Sequence, residues 1–493
     1  MRNGFDNARY ITLQASHIKE RIEQFGGKLY LEFGGKLFDD FHAARVLPGF
    51  LPDTKIRMLE SIRDEVEIVV AINANDIEKN KVRGDLGITY DQDLLRMLDY
   101  FRDQGFYVGS VVITRYAGQE SAVLFRQRLT ELGIKSYLHY TISGYPYDID
   151  AILSSEGFGK NEYVETSRPL IVVTAPGPGS GKMAVCLSQL YNEHQRGIEA
   201  GYAKFETFPI WNLPLSHPVN IAYEAATVDL EDANAIDPFH LEAYGITTVN
   251  YNRDIAAFPV LKTIFKRIYG ESPYNSPTDM GVNMAGLAII DDEIVRDAAN
   301  KEIIRRYFQA RTHVMRTGEG ASDVHKLEML MNKAGISVNY SPAYEAALNK
   351  EAACGSPAGA MQLPDGRIVT GKTSALLGAA SSLIMNALKG FAGVDPEIKV
   401  LSDAALMPIC RLKTEALKSQ NFHLHSDETL IALSISSATD EDAARLIEQL
   451  PSLRGCDAYF SVIISTTDEA MYRRLGINVC CEPKYEQYSY YHN

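Results

Sequence analysis

Strand-length apolar runs alternate with amphipathic segments through the first half of the chain, and this alternation constrains the fold more than any other feature. The amphipathic segments include DQDLLRMLDYFRDQG and QESAVLFRQRLTELG, and each ends at a glycine, as helices commonly do. Apolar strands joined through helices predict a parallel, doubly wound α/β sheet. The runs are KLYLEF (28–33), VEIVVAINA (66–74), YVGSVVITRY (107–116), SYLHYTI (136–142) and PLIVVTAP (169–176).

The pattern changes twice along the rest of the chain, which at 493 residues is too long for one ordinary core. From 254 to 335 apolar residues recur with a helical period, and from 336 to 493 strands and helices alternate again. There AMQLPDGRIVTG predicts a hairpin, and IKVLS (398–402) and ETLIALSIS (428–436) are predicted strands. We therefore predict an N-terminal Rossmann/P-loop-like α/β domain at 1–253, a helical middle region at 254–335 and a C-terminal αβα domain at 336–493.

Composition limits the classes of partner. The net charge of −14 and the pI of about 5.4 argue against a broad basic surface for nucleic acid. The N-terminal segment lacks the apolar core of a signal peptide, and no apolar run reaches the roughly 18–20 residues that span a bilayer. The six cysteines contain no C-x-x-C pair. We expect a cytoplasmic protein without nucleic acid or membrane partners; whether it forms a homo-oligomer stays open.

Two stretches resemble phosphate-binding loops. GRIVTGKTS (366–374) fits the pattern G-x-x-x-x-G-K-[S/T] at every fixed position, whereas APGPGSGKM (175–183) has Pro176 and Met183 at two of them. A phosphate loop also needs a buried strand before it and a helix after it, so that the amides converge on the anion. The stretch at 175–183 has that setting, and the stretch at 366–374 begins in a hairpin turn. The sequence therefore favours 175–183 as the phosphate site.

In the favoured loop, Gly177, Gly179, Ser180, Gly181 and Lys182 are the predicted nucleotide-binding residues. Glycines let backbone amides approach phosphate oxygens, and the lysine neutralises their charge. The stretch resembles the GPPGSGKG loops of adenylate-kinase-like enzymes, which also lack a hydroxyl where Met183 stands. The alternative is a glycine-rich turn between strand and helix with a solvated lysine.

The stretch at 366–374 has a smaller predicted role in anion binding. Lys372 and Thr373 are predicted to lie at the start of a helix over 373–389, where they could meet an anion. The alternative is that Thr373 or Ser374 simply caps that helix.

The hairpin and the helix after it resemble the start of a cytidine-deaminase-like domain. In that fold a D-G hairpin leads into a helix with a zinc ligand and a catalytic glutamate, and a later helix begins P-C-x-x-C. Here the first helix, GAASSLIMNALK, has no His, Cys or Glu, and Ile409 and Leu412 replace the two cysteines. The resemblance implies a deaminase-like fold without zinc, as in a purine-biosynthesis formyltransferase.

Acidic residues near glycine loops are candidates for metal and proton chemistry. LEFGGKLFDD resembles the opening of amino-acid kinases, so Gly34, Gly35 and Lys36 are predicted phosphate-binding residues. Asp39 and Asp40 would hold Mg²⁺ there, because carboxylates are its preferred protein ligands. The alternative is a tight turn with a solvated acidic pair.

Catalytic roles are predicted for Lys182, Asp229 and Asp237. The lysine would neutralise phosphate, and an aspartate would act as a base or hold Mg²⁺. The sequence does not select one aspartate from the acidic segment 213–240.

Six stretches together resemble one uncharacterised bacterial protein family along the whole chain: LEFGGKLFDDFHAARVLPGF, INANDIEKNK, TAPGPGSGK, SPTDMGVNMAG, LPDGRIVTGKTS and CCEPKYE. The family has no established activity, although some members are labelled ATP-dependent zinc protease. The residues support a site for ATP or another nucleotide with Mg²⁺ and give no reason to expect zinc. We predict binding of a small phosphorylated metabolite or nucleotide, with phosphoryl or nucleotidyl transfer as the reaction. The alternatives are a metal-free enzyme on a sugar phosphate or nucleotide-like metabolite between the two α/β parts, and a non-catalytic metabolite sensor or scaffold.

Overall fold

The computed structural model describes residues 3–35, 37–83, 87–419 and 421–486 and shows a mixed α/β protein. The chain divides into two compact units. The N-terminal unit consists of the described residues of Arg2–Tyr223 and Asp232–Arg296, and the C-terminal unit of those of Glu224–Glu231 and Asp297–Asn493. The division into three segments stays a prediction. Among the described residues, no helix combines the length and apolar character needed to cross a membrane.

The strands and helices are numbered along the chain. The strands are β1 Leu29–Phe33, β2 Val66–Asn73, β3 Val82–Arg83, β4 Ile88–Thr89, β5 Tyr107–Tyr116, β6 Ser136–Tyr140, β7 Leu170–Thr174, β8 Gly201–Phe205, β9 Asn234–Ile236, β10 Val249–Tyr251, β11 Gly281–Val282, β12 Ala358–Gln362, β13 Ile368–Lys372, β14 Asp457–Phe460 and β15 Asn478–Cys481. The α-helices are α1 Asn7–Gln24, α2 Phe41–Val46, α3 Thr54–Glu60, α4 Ala74–Glu78, α5 Tyr90–Asp103, α6 Glu120–Glu131, α7 Ile149–Ile152, α8 Lys182–Gln195, α9 Pro218–Ala226, α10 Pro238–Tyr244, α11 Asn252–Tyr269, α12 Pro277–Met280, α13 Asp292–Thr317, α14 Ala321–Ala334, α15 Pro342–Cys354, α16 Ala379–Ala392, α17 Asp403–Arg411, α18 Ser426–Ser436, α19 Glu441–Glu448 and α20 Thr466–Arg474.

A parallel sheet of seven strands, in the order β11-β8-β1-β7-β2-β5-β6, forms the centre of the N-terminal unit. The five predicted runs form β1, β2, β5, β6 and β7, so the parallel α/β prediction is confirmed. Side chains from α1, α3, α5 and α6 pack on one face of the sheet, and side chains from α8 and α11 pack on the other. Because helices cover both faces, most side chains of the central strands are apolar.

The strand order contains a topological switch point at the carboxyl edge of this sheet. Strand β7 lies between β1 and β2, and the chain leaves β7 towards β8 but leaves β2 towards β5. Neighbouring connections that run in opposite directions leave a space at the carboxyl ends of the strands, where open α/β sheets bind ligands. The glycine loop at 175–181 follows β7 at this point.

The C-terminal unit contains a mixed sheet in the order β13-β12-β14-β15. Strand β12 is antiparallel to β13 and β14, and β14 is parallel to β15. The predicted hairpin is confirmed as β12 and β13. Helices α11, α13 and α14 occupy the segment that was predicted to be helical.

Two strand predictions in the C-terminal unit are wrong. Residues 398–402, all described, form no strand, and ETLIALSIS lies within helix α18. A short apolar run does not distinguish a buried strand from a buried helix. Ala432 and Leu433 of α18 are fully buried in the core of this unit, which selects the helix. The deaminase-like topology stays a prediction.

Candidate functional site

The loop at 175–181 connects a buried strand to a helix through unusual backbone geometry. Strand β7 is buried along its whole length, and Gly181 starts α8 from the left-handed conformation, with φ of 86°. A Cβ atom at Gly177 would lie 2.4 Å from the Tyr90 hydroxyl, and one at Gly181 would lie 3.0 Å from Thr114 Oγ1. Glycine is therefore required at 177 by close packing and at 181 by conformation as well.

Side chains of the neighbouring strands hold the carbonyl groups of the loop. Thr114 Oγ1 at the end of β5 donates to Ser180 O at 2.7 Å, and Asn73 Nδ2 at the end of β2 lies 3.4 Å from Gly179 O. Ser180 Oγ donates to Gly177 O at 2.9 Å. These bonds fix the loop through its acceptors.

The amide groups of the same loop, unlike its carbonyl groups, are not held by hydrogen bonds to described residues. Within the described part of the chain, no acceptor takes a hydrogen bond from the amides of Gly179, Ser180, Gly181 or Lys182. These amides lie at the N-terminus of α8, where the helix dipole favours negative charge. An anion is the natural acceptor for such a group of donors.

The Lys182 ammonium is the cation of this loop. Lys182 is partly buried, and its ammonium group makes no hydrogen bond or ion pair with any described residue. Burial lowers the pKa of Lys182; Lys204 acts in the same direction, and Glu32 opposes it. An unpaired ammonium beside unpaired amides is an arrangement that an anion would complete.

A cluster of buried charges lies on the sheet beside this lysine. Glu32 on β1 faces Lys204 on β8 in register, and the Tyr202 hydroxyl donates to Glu32 Oε2 at 2.7 Å. Lys204 Nζ lies 3.0 Å from Glu206 Oε1 and pairs with Asp254 at the start of α11. Two carboxylates therefore share one ammonium group.

The pKa values of Glu206 and Lys204 are shifted because both groups are buried and two carboxylates share this one ammonium group. Burial raises the pKa of Glu206 to about 7; Asp254 also raises it, and Lys204 opposes both. Burial works against the charge of Lys204, but the two carboxylates outweigh it and raise the lysine pKa. Burial therefore favours the neutral form of Glu206. The sequence analysis missed this cluster, although charged residues in the buried stretch GYAKFE of β8 were a usable signal.

In the loop after β1, Lys55 is the cation that pairs with Asp40. Gly34 N donates to Phe205 O at 3.1 Å, which holds the loop against β8. Asp40 pairs with the buried Lys55 at 2.7 Å and caps α2 by accepting from Ala43 N. Burial works against the charge of Asp40, but Lys55 outweighs it and lowers the pKa. The side chain that the sequence predicted for this role, Lys36, lies outside the described residues.

The metal predictions for this loop therefore remain predictions. Asp39 has a φ of 61°, Gly35 has a φ of 70°, and the carboxylate of Asp40 already has a cation at Lys55. Among the described residues, no group of three or more His, Cys, Asp or Glu side chains is placed to hold a metal ion.

The two predicted catalytic aspartates have different surroundings. Asp237 is fully buried: one oxygen accepts from Phe239 N and His240 N, and the other accepts from the amide and hydroxyl of Thr278. It caps α10 and ties α10 to α12. Asp229 is exposed and belongs to the C-terminal unit. Catalysis by either residue stays a prediction.

The predicted helix start at Thr373 is wrong. Lys372 ends β13 and is exposed, and α16 begins only at Ala379, with Gly378 as its cap. The intervening residues form a turn in which Ser374 N donates to Leu377 O and Leu377 N donates back to Ser374 Oγ. Because this turn satisfies Ser374, neither Thr373 nor Ser374 caps the helix, and anion binding by Lys372 and Thr373 stays a prediction.

Comparison with known proteins places the chain in a family. The model described as "Domain of unknown function DUF1846, N-terminal" matches residues 3–335, and the corresponding C-terminal model matches residues 339–491. A UPF0371 protein of Corynebacterium diphtheriae is 57% identical over 489 residues, covering 99% of this chain and 98% of that protein. A UPF0371 protein of Streptococcus thermophilus is 55% identical over 485 residues, covering 98% of each. The chain belongs to the DUF1846 family, whose function is unknown.

Proposed function

We propose that this protein binds the phosphate group of a small phosphorylated metabolite at residues 175–182, with nucleotides as the first class to test. The observation that carries the proposal is that the Lys182 ammonium and the amides of 179–182 have no partner among the described residues. Both lie at the N-terminus of the 14-residue helix α8, at the topological switch point beside β7. Position, charge and donor geometry all favour a phosphate group.

The helix start also bears on the role of metal. In phosphate loops with a Ser or Thr after the lysine, that hydroxyl binds Mg²⁺. Here Met183 occupies the position and packs against the core between α8 and the sheet. The position after the lysine therefore offers no hydroxyl ligand for Mg²⁺, which favours a second candidate, a metal-free site for a sugar phosphate. Phosphoryl or nucleotidyl transfer would need Mg²⁺ ligands from elsewhere, and Asp39 and Asp40 keep that role as predictions.

The proposal is tested by thermal shift with ATP, inorganic phosphate and sugar phosphates, each with and without Mg²⁺. We expect at least one phosphate ligand to raise the Tm of the wild type, because a ligand that binds only the folded state stabilises it. Lys182→Met keeps the length and apolar stem of the side chain and removes its charge, so the shift should disappear. Lys79→Met is the matched control, because Lys79 is an exposed lysine after β2 and should leave the shift intact.

The arms of this screen separate the candidates. Stabilisation by ATP only with Mg²⁺ supports a nucleotide site, and stabilisation by a sugar phosphate without metal supports the metal-free site. Product formation from the bound ligand would distinguish an enzyme from a metabolite sensor. An undiminished shift in Lys182→Met would refute the assignment of the phosphate site to this loop.

A further inference from the structure

Beside the glycine loop lies the cluster of buried charges on β1, β8 and α11, which has no part in holding the phosphate. Glu206 is 9% exposed, and its Oε1 lies 3.0 Å from Lys204 Nζ without forming a hydrogen bond of acceptable geometry. A buried carboxylate oxygen in this state is expensive to keep charged. The second carboxylate on the same lysine, Asp254, has the better contact.

The groups that face this position come from the five elements β1, β8, β10, α8 and α11. The charged and titratable neighbours are Lys204 on β8, Asp254 on α11, Glu32 on β1, Lys182 on α8, and the hydroxyls of Tyr202 and Tyr251. Burial raises the pKa of both tyrosines far above neutrality, so neither ionises in the range considered. His42 lies close by, against Phe208 and Tyr223.

The charge of the cluster depends on one proton. With every acid and base ionised, the three carboxylates of Glu32, Glu206 and Asp254 and the two ammonium groups of Lys204 and Lys182 leave one net negative charge. With Glu206 protonated, these five groups together are neutral. Lys182 lies within electrostatic reach of both Glu32 and Lys204, so the phosphate site senses this charge through a buried, weakly screened path.

We propose that anion binding at the glycine loop is coupled to uptake of a proton by Glu206. The proposal rests on the phosphate site proposed above and adds a means of regulation to it. An arriving anion brings negative charge next to the cluster, and protonation of Glu206 removes negative charge from it, so each event favours the other. By linkage, the affinity for an anion falls as pH rises through neutrality.

Sulfate is the probe for this coupling, because it stays a dianion across the pH range, whereas phosphate itself titrates. Its Kd is measured by calorimetry at constant ionic strength at pH 6, 7 and 8. For the wild type we expect the Kd to rise by about fivefold or more between pH 6 and pH 8, the usual size of a coupling between sites. Glu206→Gln should bind with the same Kd throughout, because its side chain no longer titrates.

A second variant distinguishes Glu206 from His42 and from general effects of pH. In Asp254→Asn, Glu206 becomes the only carboxylate on Lys204 and stays charged above pH 6, so the remaining charges cancel. Sulfate binding should therefore lose its pH dependence and keep the affinity that the wild type has at low pH. Sulfate binding that is independent of pH in the wild type would overturn the coupling and leave the phosphate site standing. The same pH dependence in Glu206→Gln as in the wild type would do so too. Absence of sulfate binding at pH 6 would remove both the phosphate site and the coupling.

Discussion

Two glycine–lysine loops in this chain have nearly the same residues and lie in different structures. The stretch at 366–374 matches the phosphate-loop pattern at every fixed position, yet it runs from a hairpin turn through strand β13. The stretch at 175–183 departs from the pattern at two positions, yet it lies between a buried parallel strand and the start of a helix. Lys372 is exposed to water, whereas Lys182 is partly buried and unpaired among the described residues. We therefore base the proposed phosphate site on the strand and helix that flank a loop, and not on its match to the sequence pattern.

The largest effect expected from this comparison is on the two lysines. Lys182→Met should abolish stabilisation by a phosphate ligand, because a partly buried ammonium contributes far more to anion binding than a solvated one. Lys372→Met, its counterpart in the better-matching stretch, should leave the shift unchanged. Thermal-shift titration of both variants with the same ligand measures the difference. Loss of the thermal shift in Lys372→Met, with the shift retained in Lys182→Met, would contradict this prediction.

A smaller effect is expected from substituting one glycine that precedes the lysine in each stretch. Gly181 and Gly366 both have positive φ, 86° and 88°, so alanine at either should destabilise the fold by about 1–2 kcal/mol. A Cβ at Gly181 would press on Thr114, which holds Ser180 O, whereas a Cβ at Gly366 would meet open space. Denaturant unfolding should therefore show a loss of stability in both variants that is larger in Gly181→Ala, and only Gly181→Ala should lose phosphate binding. Equal binding by both variants would show that loop geometry does not matter.

The smallest effect concerns a charge pair in the C-terminal unit that, unlike Lys182, is already satisfied. His425 Nδ1 lies 3.0 Å from Asp468 Oδ2, and this bond raises the pKa of His425; burial opposes it. The raised pKa means that the pair contributes fully below the unfolded His pKa of 6.5 and is lost as pH rises through the folded value. We expect the free energy of unfolding to fall by about 1 kcal/mol or less between pH 6 and pH 8. His425→Gln should lack this change, and its persistence in the variant would assign it to another group.

The sequence predicts those secondary-structure elements whose pattern of apolar residues is contained in one short segment. Strands β1, β2, β5, β6 and β7 were predictable because long apolar runs between helices have few other solutions. Strand β8 was not predicted, because the charges of Lys204 and Glu206 disguise a buried segment. ETLIALSIS was assigned to a strand because a helix that is apolar on several sides gives no helical period.

The candidate site also has one part that the sequence predicts and one part that it does not. The loop at 175–182 was predictable because its strand, glycines and helix are consecutive in sequence. The cluster of Glu32, Lys204, Glu206 and Asp254 was not, because its members come from three elements that only the strand order brings together. The pairing of Asp40 with Lys55 likewise depends on tertiary structure, which the residues around Gly34 do not reveal.

The central claim is that the amides of the imperfect loop, and not those of the perfect pattern, bind phosphate. Selective ¹⁵N-glycine labelling tests it directly, since each loop contains glycines whose amide signals can be assigned with the Gly181→Ala and Gly366→Ala variants. The account predicts that inorganic phosphate shifts the amide signals of Gly179 and Gly181 and leaves those of Gly366 and Gly371 unchanged. Shifts confined to Gly366 and Gly371, or no shift in either loop at saturating phosphate, would contradict it.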